Sequence, residues 1–462
     1  MDEDRFYPQD SIAALATPWG ESALAVLRVS GLDSLRLLAS VFEPASATGK
    51  TLDEVPGHTI HRGVIIAPGE DGHREIVDEV LVAVYRGPKS FTGEDGAELF
   101  CHGSPIIIRR LLGLLEEAGF RFAGPGEFTL RAFLNRKLDL TQAEAVNEVV
   151  RAKTDRARAI ALNRLSGAIE QKIDQIKSIL VRLSAAVELR LDYPDDEIEE
   201  GDKIAGEDEI AQQELERLLS TYRIGKIYQE GISVVLAGST NSGKSTLFNR
   251  MLKEDRAIVS EIHGTTRDYL EGVVSVDGIP IKLYDTAGYR DQAEGVEAEG
   301  MRRTDSIVGN ADIILYLVDA ESGFTRKDEE FLQSSGSEQR LIPVWNKIDR
   351  QSSRCPAGFV PISAKEGDGL EDLGRGIAEK VLAGAGMVDS GEPIIDSLRQ
   401  KRLLERSLQG IKDFRTGLRA GQPWDVLAVD LKEALDALGE ITGEVTSQDI
   451  LNQIFSQFCV GK

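Results

Sequence analysis

Residues 238–245 read Gly-Ser-Thr-Asn-Ser-Gly-Lys-Ser, from Gly238 to Ser245. The apolar run Ile232-Ser-Val-Val-Leu-Ala237 precedes them and Thr-Leu-Phe-Asn-Arg-Met-Leu follows, so the local order is strand, glycine loop, helix. Glycines let successive backbone N–H groups turn towards a polyphosphate, and the following helix presents its positive end. Lys244 reaches the β- and γ-phosphates in such a loop, and the Ser245 hydroxyl is a ligand for Mg²⁺. Asn241, Ser242, Gly243 and Thr246 complete the stretch expected to line the phosphates.

Three further segments follow in a telling order. Asp285-Thr286-Ala287-Gly288 comes after the apolar strand Ile281–Tyr284, where a carboxylate approaches the metal and a glycine N–H faces the γ-phosphate. Asn346-Lys347-Ile-Asp349 ends another strand. A buried carboxylate at Asp349 accepts from guanine N1–H and its exocyclic amine, and ATP would leave it unpaired. Ser363-Ala364-Lys365 offers backbone N–H groups to the guanine carbonyl. Between the loop and Asp285 lies Gly264-Thr265-Thr266-Arg-Asp268, whose Thr266 can close over Mg²⁺. This succession resembles the Ras-like GTPase superfamily.

Ras-like enzymes that orient the attacking water with glutamine carry it just after the Asp-x-x-Gly glycine. Tyr289 stands there, so another group must serve. Glu294, Glu297 and Glu299 are the carboxylates at hand, in a run that also reads as a solvated acidic loop. Asn241 is a neutral oxygen ligand suited to a monovalent cation beside the phosphates.

The chain has 462 residues, room for about three domains, with 41% hydrophobic and 28% charged residues. Its acidic start lacks the basic and apolar regions of a secretory signal, and no apolar stretch is long enough for a bilayer. Cys101, Cys355 and Cys459 are too scattered for a disulfide framework or a Cys-x-x-Cys metal site. These features predict a cytoplasmic protein that makes no membrane contact. The net charge of −23 argues against nucleic acid, yet Glu188–Glu216 alone holds 13 acids against Arg190 and Lys203. A basic surface elsewhere is compatible with that distribution.

The nucleotide signature spans only about Gly231 to Gly384. Before it, Leu162, Leu165, Ile169, Ile173, Ile176, Leu180, Leu183 and Val187 form an apolar helical stripe. After it, Leu403, Leu404, Leu408, Ile411, Phe414 and Leu418 form another, and Leu427, Leu431, Leu435 and Leu438 a third. This predicts one helical domain interrupted by an inserted α/β domain, with linkers near Thr221–Glu230 and Gly384–Gly391. Towards the start, Ser22–Val29 and Val77–Tyr85 read as strands and Ile106–Leu115 as a helix. Ser90–Gly103 reads as a loop dense in turn formers and acids, and Cys101 and His102 as packing and turn residues.

Taken together the chain resembles the MnmE (TrmE) family of tRNA-modifying GTPases over nearly its full length. The segments that carry the resemblance are Ala16-Thr-Pro18, Ser90-Phe-Thr-Gly-Glu-Asp95, Pro125-Gly-Glu-Phe128, Ala132-Phe-Leu-Asn135 with Lys137-Leu-Asp139, Gln142-Ala-Glu-Ala145, the GTPase set and Phe458-Cys-Val-Gly-Lys462. The resemblance implies an α/β multidomain chain. It would comprise an N-terminal α+β folate-binding and dimerisation domain (1–125), a discontinuous helical-bundle domain (126–228 and 387–462), and an inserted Ras-like P-loop GTPase domain (229–386). It implies a folate site at Arg28, Glu98, Lys137 and Lys462 for 5,10-methylene- or 5-formyl-tetrahydrofolate. It implies a K⁺ site at Asn241, Ser260, Ile262 and Thr265, within a nucleotide-contacting switch that also holds Glu261 and His263. Glu297 maps by spacing to the catalytic glutamate. Cys459, near the folate site, maps to a cysteine needed for modification; a buried structural thiol is the rival reading, and Cys459-Val-Gly-Lys462 fits a prenylation box poorly. The implied activity is K⁺-dependent GTP hydrolysis by a homodimer. It would act with the FAD-dependent MnmG (GidA), in a heterotetrameric or larger complex, to add an aminomethyl-type group to C5 of the wobble uridine of certain tRNAs. A ribosome-assembly or translational GTPase switch, and a folate-dependent one-carbon transferase regulated by GTP, are the alternatives.

Overall fold

The computed structural model describes residues 10–45, 50–68, 73–192, 206–254, 271–285, 309, 311–334, 340–350, 354–383 and 391–462. The chain forms two compact units, Met1–Asn147 with Gly439–Lys462, and Glu148–Leu438.

The first unit is built on seven strands: β1 (Ile12–Leu15), β2 (Ser22–Ser30), β3 (Phe42–Pro44), β4 (Thr59–Pro68), β5 (Arg74–Tyr85), β6 (Gly96–Gly103) and β7 (Arg121–Phe122). Their order is β3-β4-β5-β6-β2-β1-β7, antiparallel except for the β1–β7 pair. Alternation sets the faces. Ala25, Leu27 and Val29 of β2 and Ala97, Leu99 and Cys101 of β6 turn into a core closed by Ile108, Leu111 and Leu115 of the helix Pro105–Glu117. Arg28 and Glu98 therefore lie on the other face, directly opposite each other in the β2–β6 register. A one-residue slip would send both into the core. The stretch Ser90–Gly103, read as a loop, is strand from Gly96 onward because its Ala-Glu-Leu-Phe-Cys alternation pairs with β2 and β5. Cys101 is a packing residue, and burial pushes its thiol up to about 11. The C-terminal helix Gln448–Phe455 packs Leu451 and Phe455 with Leu130 of the helix Glu127–Leu134 and with Leu140.

The second unit contains helices on both sides of a six-stranded sheet in sequence. Ile169, Ile173, Ile176, Leu180, Leu183 and Val187 are buried along Ala168–Asp192 as their spacing requires. Leu162 and Leu165 do not continue that stripe. They belong to a separate helix, Asp155–Leu165, because Gly167 takes a left-handed φ of 88° between the two. Thr221–Glu230, read as a linker, is helical from Tyr222 to Glu230. Its Gly225 is a contact point rather than a breaker: a Cβ there would sit 2.1 Å from the Ile395 carbonyl. Leu404, Leu408, Ile411 and Phe414 of Leu398–Ala420 are buried, as are Leu427, Leu431 and Leu438 of Trp424–Thr442.

The sheet comprises β8 (Ile232–Gly238), β9 (Glu271–Val276), β10 (Ile279–Asp285), β11 (Ile313–Asp319), β12 (Leu341–Asn346) and β13 (Val360–Ile362), in the order β13-β12-β11-β8-β10-β9. Only β9 pairs antiparallel; the rest are parallel. Apolar clusters cover both faces, so β11 is buried at every residue and reads as an unbroken apolar run.

Candidate active site and a cavity in the first unit

In an open parallel sheet, ligands sit beyond the carboxyl ends of the strands where the strand order reverses. Here the reversal flanks β8, and the loop Gly238–Ser245 leaves its carboxyl end. Asp285 closes β10, Asn346 closes β12 and Ser363 follows β13, so segments far apart in sequence meet at one edge. Gly238, Asn241 and Gly243 take φ values of 135°, 66° and 97° in the loop. Lys244, buried at the start of the helix Lys244–Glu254, donates through Nζ to the Gly238 and Ser239 carbonyls at 3.0 and 2.8 Å. That fixes its ammonium beside the loop's N–H groups. Ser245 Oγ donates to Asp285 Oδ2 at 2.7 Å. A hydroxyl and a carboxylate held together are the hard oxygen donors that Mg²⁺ takes alongside phosphate and water. Thr246 is exposed on the first helical turn.

The segments expected to meet the base are braced to this loop. Asn346, 1% exposed, donates through Nδ2 to the Ser242 carbonyl at 2.8 Å and accepts through Oδ1 from Lys347 N and Ala364 N at 2.8 and 3.0 Å. It is the tie between loop, β12 and Ser363-Ala364-Lys365. Lys347 donates to Asp319 at 2.6 Å. Burial raises the Asp319 carboxyl, but its hydrogen bond and charge contact with Lys347 prevail and lower it. Asp349, expected to be buried, is exposed; its Oδ1 accepts from Ser363 Oγ at 2.7 Å, which holds the carboxyl below its ordinary range. The carboxylate is thus oriented at the surface and not buried. Arg250 donates to the Lys365 and Glu366 carbonyls at 3.2 and 2.8 Å, pinning that loop to the helix behind the phosphates. Sequence reading missed Arg250 and Asp319. Asp319 had a visible signal, a carboxylate closing an all-apolar strand.

Several expected residues lie outside the described residues: Ser260, Glu261, Ile262, His263, Gly264, Thr265 and Thr266 of the first switch, and Thr286, Ala287, Gly288, Tyr289, Glu294, Glu297 and Glu299 of the second. Of the four K⁺ ligands expected, only Asn241 is described.

In the first unit, Arg28 Nη2 and Nε donate to Glu98 Oε1 at 2.7 and 3.0 Å, and Tyr85 OH donates to Glu98 Oε2 at 3.4 Å. Burial and the Glu98 carboxylate push the Tyr85 phenol up. The Arg28 guanidinium lies 5.8 Å from the Phe91 ring and 5.7 Å from the Phe128 ring. These residues line a cavity of about 200 Å³ with Ser90 and Thr92. The chain's last residues close in on it: Arg28 Nη1 donates to the Gly461 carbonyl at 3.2 Å, and Phe128 N donates to the Lys462 carbonyl at 3.1 Å. Lys137 Nζ reaches the Pro88 carbonyl at 2.9 Å, on the loop that leads to Ser90. Cys459 is exposed, and its carbonyl accepts from Gly126 N at 3.3 Å. Phe128 and Arg131 were not read as site residues. Arg131, 3% exposed, bonds Glu94, Glu127 and Asp10, and Glu94 in turn accepts from Ser30 Oγ at 2.7 Å. This buried ion group fixes the Ser90–Asp95 loop over the cavity.

A phosphate loop at a topological switch point, a Ser–Asp pair and an Asn-Lys-x-Asp strand end define a Ras-like P-loop GTPase, a GTP hydrolase. Comparison narrows this class. A family model for the MnmE helical domain matches residues 140–459, and one for the GTP-binding protein TrmE N-terminus matches residues 11–137. The chain is 40% identical to the tRNA modification GTPase MnmE of Carboxydothermus hydrogenoformans over 98% of its length and 100% of that protein. It is 42% identical to that of Borrelia turicatae over 99% of both chains, and 38% identical to that of Streptococcus thermophilus over 98% of both. The chain belongs to the MnmE family of tRNA modification GTPases.

Proposed function

We propose that this chain hydrolyses GTP to drive a one-carbon-dependent addition at C5 of the tRNA wobble uridine. It does so as a K⁺-dependent homodimer acting with an FAD-dependent partner of the MnmG type. Family membership supports the GTPase role in tRNA modification. The one observation that supports the folate step is the Arg28–Glu98 pair at a cavity walled by Phe91 and Phe128. A carboxylate suits the amino and ring N–H donors of a pterin, aromatic rings suit its faces, and cations suit the glutamyl tail.

In the GTPase domain, Lys244 and the loop N–H groups hold the phosphates, and Ser245 and Asp285 form the Mg²⁺ end of the site with Thr266. Water adds to the γ-phosphorus as the bond to the bridging oxygen breaks, giving GDP and phosphate. Glu297 orients that water. Mg²⁺ and K⁺, when bound, supply positive charge to the phosphate oxygens; the residues present at Ser245, Asp285 and Asn241 fit oxygen-seeking cations. Asp349 and the Ser363–Lys365 loop select guanine.

Nucleoside analysis of tRNA from cells lacking the protein tests the whole reading: loss of the C5-modified wobble uridine is expected, and an unchanged profile overturns it. Equal GTPase rates in Na⁺ and K⁺ would remove the K⁺ assignment. Glu297→Ala is expected to suppress hydrolysis with nucleotide affinity intact, and full activity would move that role to another carboxylate.

A further inference from the structure

The nucleotide loops occupy the carboxyl ends of the strands. The opposite edge of the same sheet carries a second cavity, of about 890 Å³, where β8, β11 and β12 begin and the helix Tyr222–Glu230 crosses. Arg223, Lys226, Arg340 and Lys380 line it, with Asp312 as the one carboxylate among the described lining residues; Glu230, just outside, stands 3.7 Å from Lys226 Nζ. Asp312 is already engaged, accepting from Ser233 N and Oγ at 2.8 and 2.7 Å. Three of the cations are anchored by carbonyls. Arg340 Nη1 donates to Gly309 and Ala311 at 2.9 and 3.1 Å, Lys380 Nζ to Leu341 at 2.8 Å, and Arg223 Nη2 to Val381 at 3.4 Å. A guanidinium has five donors and an ammonium three, so each keeps capacity beyond these bonds. Tyr222 adds an aromatic wall, and a further ammonium, Lys401 Nζ, stands 5.3 Å from its ring.

Four cations in one cleft, three of them held by carbonyls, are the reverse of the average surface of a chain with net charge −23. An acidic chain repels polyanions at long range, so any RNA contact needs such a local positive field. Cations held in place before binding lose little conformational freedom on meeting phosphates. We propose that this cavity docks the phosphodiester backbone of the RNA substrate. This inference rests on the tRNA-modification reading above and adds to it the surface that holds the RNA. The contact is with phosphates, so it positions the RNA without reading sequence.

The test uses the full chain and an unmodified tRNA transcript, with filter binding across a KCl series. The variants are Arg223→Gln with Lys226→Gln on the exposed helix face, and separately Lys380→Gln, which keeps an N–H donor and removes the charge. Removing two phosphate contacts is expected to cut the magnitude of the salt slope by about 1.8, and removing one by about 0.9. Affinity should fall about tenfold for the double variant, at unchanged affinity for a fluorescent GTP analogue. Unchanged tRNA affinity and slope in both variants overturn the proposal. So does competition in which tripolyphosphate occupies the cavity without displacing tRNA, because that assigns it to a free polyphosphate. Complementation separates the two readings. If the wild-type gene restores wobble-uridine modification while the variants bind tRNA normally, only the cavity assignment falls. If the wild-type gene restores nothing, the tRNA-modification reading falls.

Discussion

Asn346 Nδ2 donates to the Ser242 carbonyl at 2.8 Å, so the carboxyl end of β12 is bonded to the phosphate loop that leaves β8. The side chain makes three hydrogen bonds at 1% exposure and none of them is to be expected from a residue that merely reads guanine. Asn346→Ala should cost about 1–3 kcal/mol of stability, the penalty for leaving buried backbone groups unpaired. It should also weaken GTP and GDP binding together, because both need the loop. Denaturant unfolding and nucleotide titration of the same variant check this, and a loss confined to GTP would contradict it.

Gly243 sets a stricter limit. Its φ is 97°, and a Cβ built there would lie 2.2 Å from Asn346 Nδ2. Gly243→Ala therefore breaks the tie as well as straining the backbone. Nucleotide binding should fall below detection by fluorescence titration while the sheet, buried on both faces, stays folded by circular dichroism.

The Ser363 hydroxyl holds the Asp349 carboxyl below its ordinary range. A depressed carboxyl contributes its charged-form interactions above its unfolded pKa and loses them only as pH falls through the lower folded value. Guanine affinity should thus be flat from about pH 5 to 8 as far as Asp349 is concerned. Ser363→Ala should move the acid limb of GTP affinity upward. Binding curves at several pH values for the two proteins check the sign.

Arg131 is buried among Glu94, Glu127 and Asp10. Arg131→Met removes the cation that Glu94 shares with Glu127 and Asp10, which keep Arg121, and a cost of about 3 kcal/mol is expected. Thermal unfolding should show it. Tetrahydrofolate affinity should fall too, since Glu94 anchors the loop that lines the cavity.

Glu98→Gln removes one charge at constant shape. We expect tetrahydrofolate affinity to drop by about tenfold, as for loss of a charge-assisted pair, with GTP hydrolysis unchanged. Calorimetry with 5-formyl-tetrahydrofolate and a phosphate-release assay measure the two sides.

The nucleotide site was largely legible because its chemistry is local. Gly238–Ser245 carries loop, lysine and hydroxyl in eight consecutive residues, and apolar runs before Asp285 and Asn346 announce parallel strands. What sequence hid was mutual: that Asn346 serves the loop, that Arg250 pins Lys365 and Glu366, and that Asp349 is exposed. Those are facts of strand order, which no local pattern encodes. The same holds for helices. Spacing placed Ile169 to Val187 on one face, but Gly167 parts Leu162 and Leu165 from them by a left-handed turn. Arg28 and Glu98 were reached through resemblance; their pairing follows from a β2–β6 register that the sequence does not display.

The bond from Arg28 to the Gly461 carbonyl joins residues 433 positions apart. On the ribosome, β2 is made early and must wait for the whole GTPase segment to be synthesised before that carbonyl exists. Without Gly461 the Arg28 guanidinium keeps Glu98 but loses this backbone acceptor. The two sides of the Arg28 site thus come from opposite flanks of the GTPase segment, and their meeting cannot precede the synthesis of the chain that lies between them.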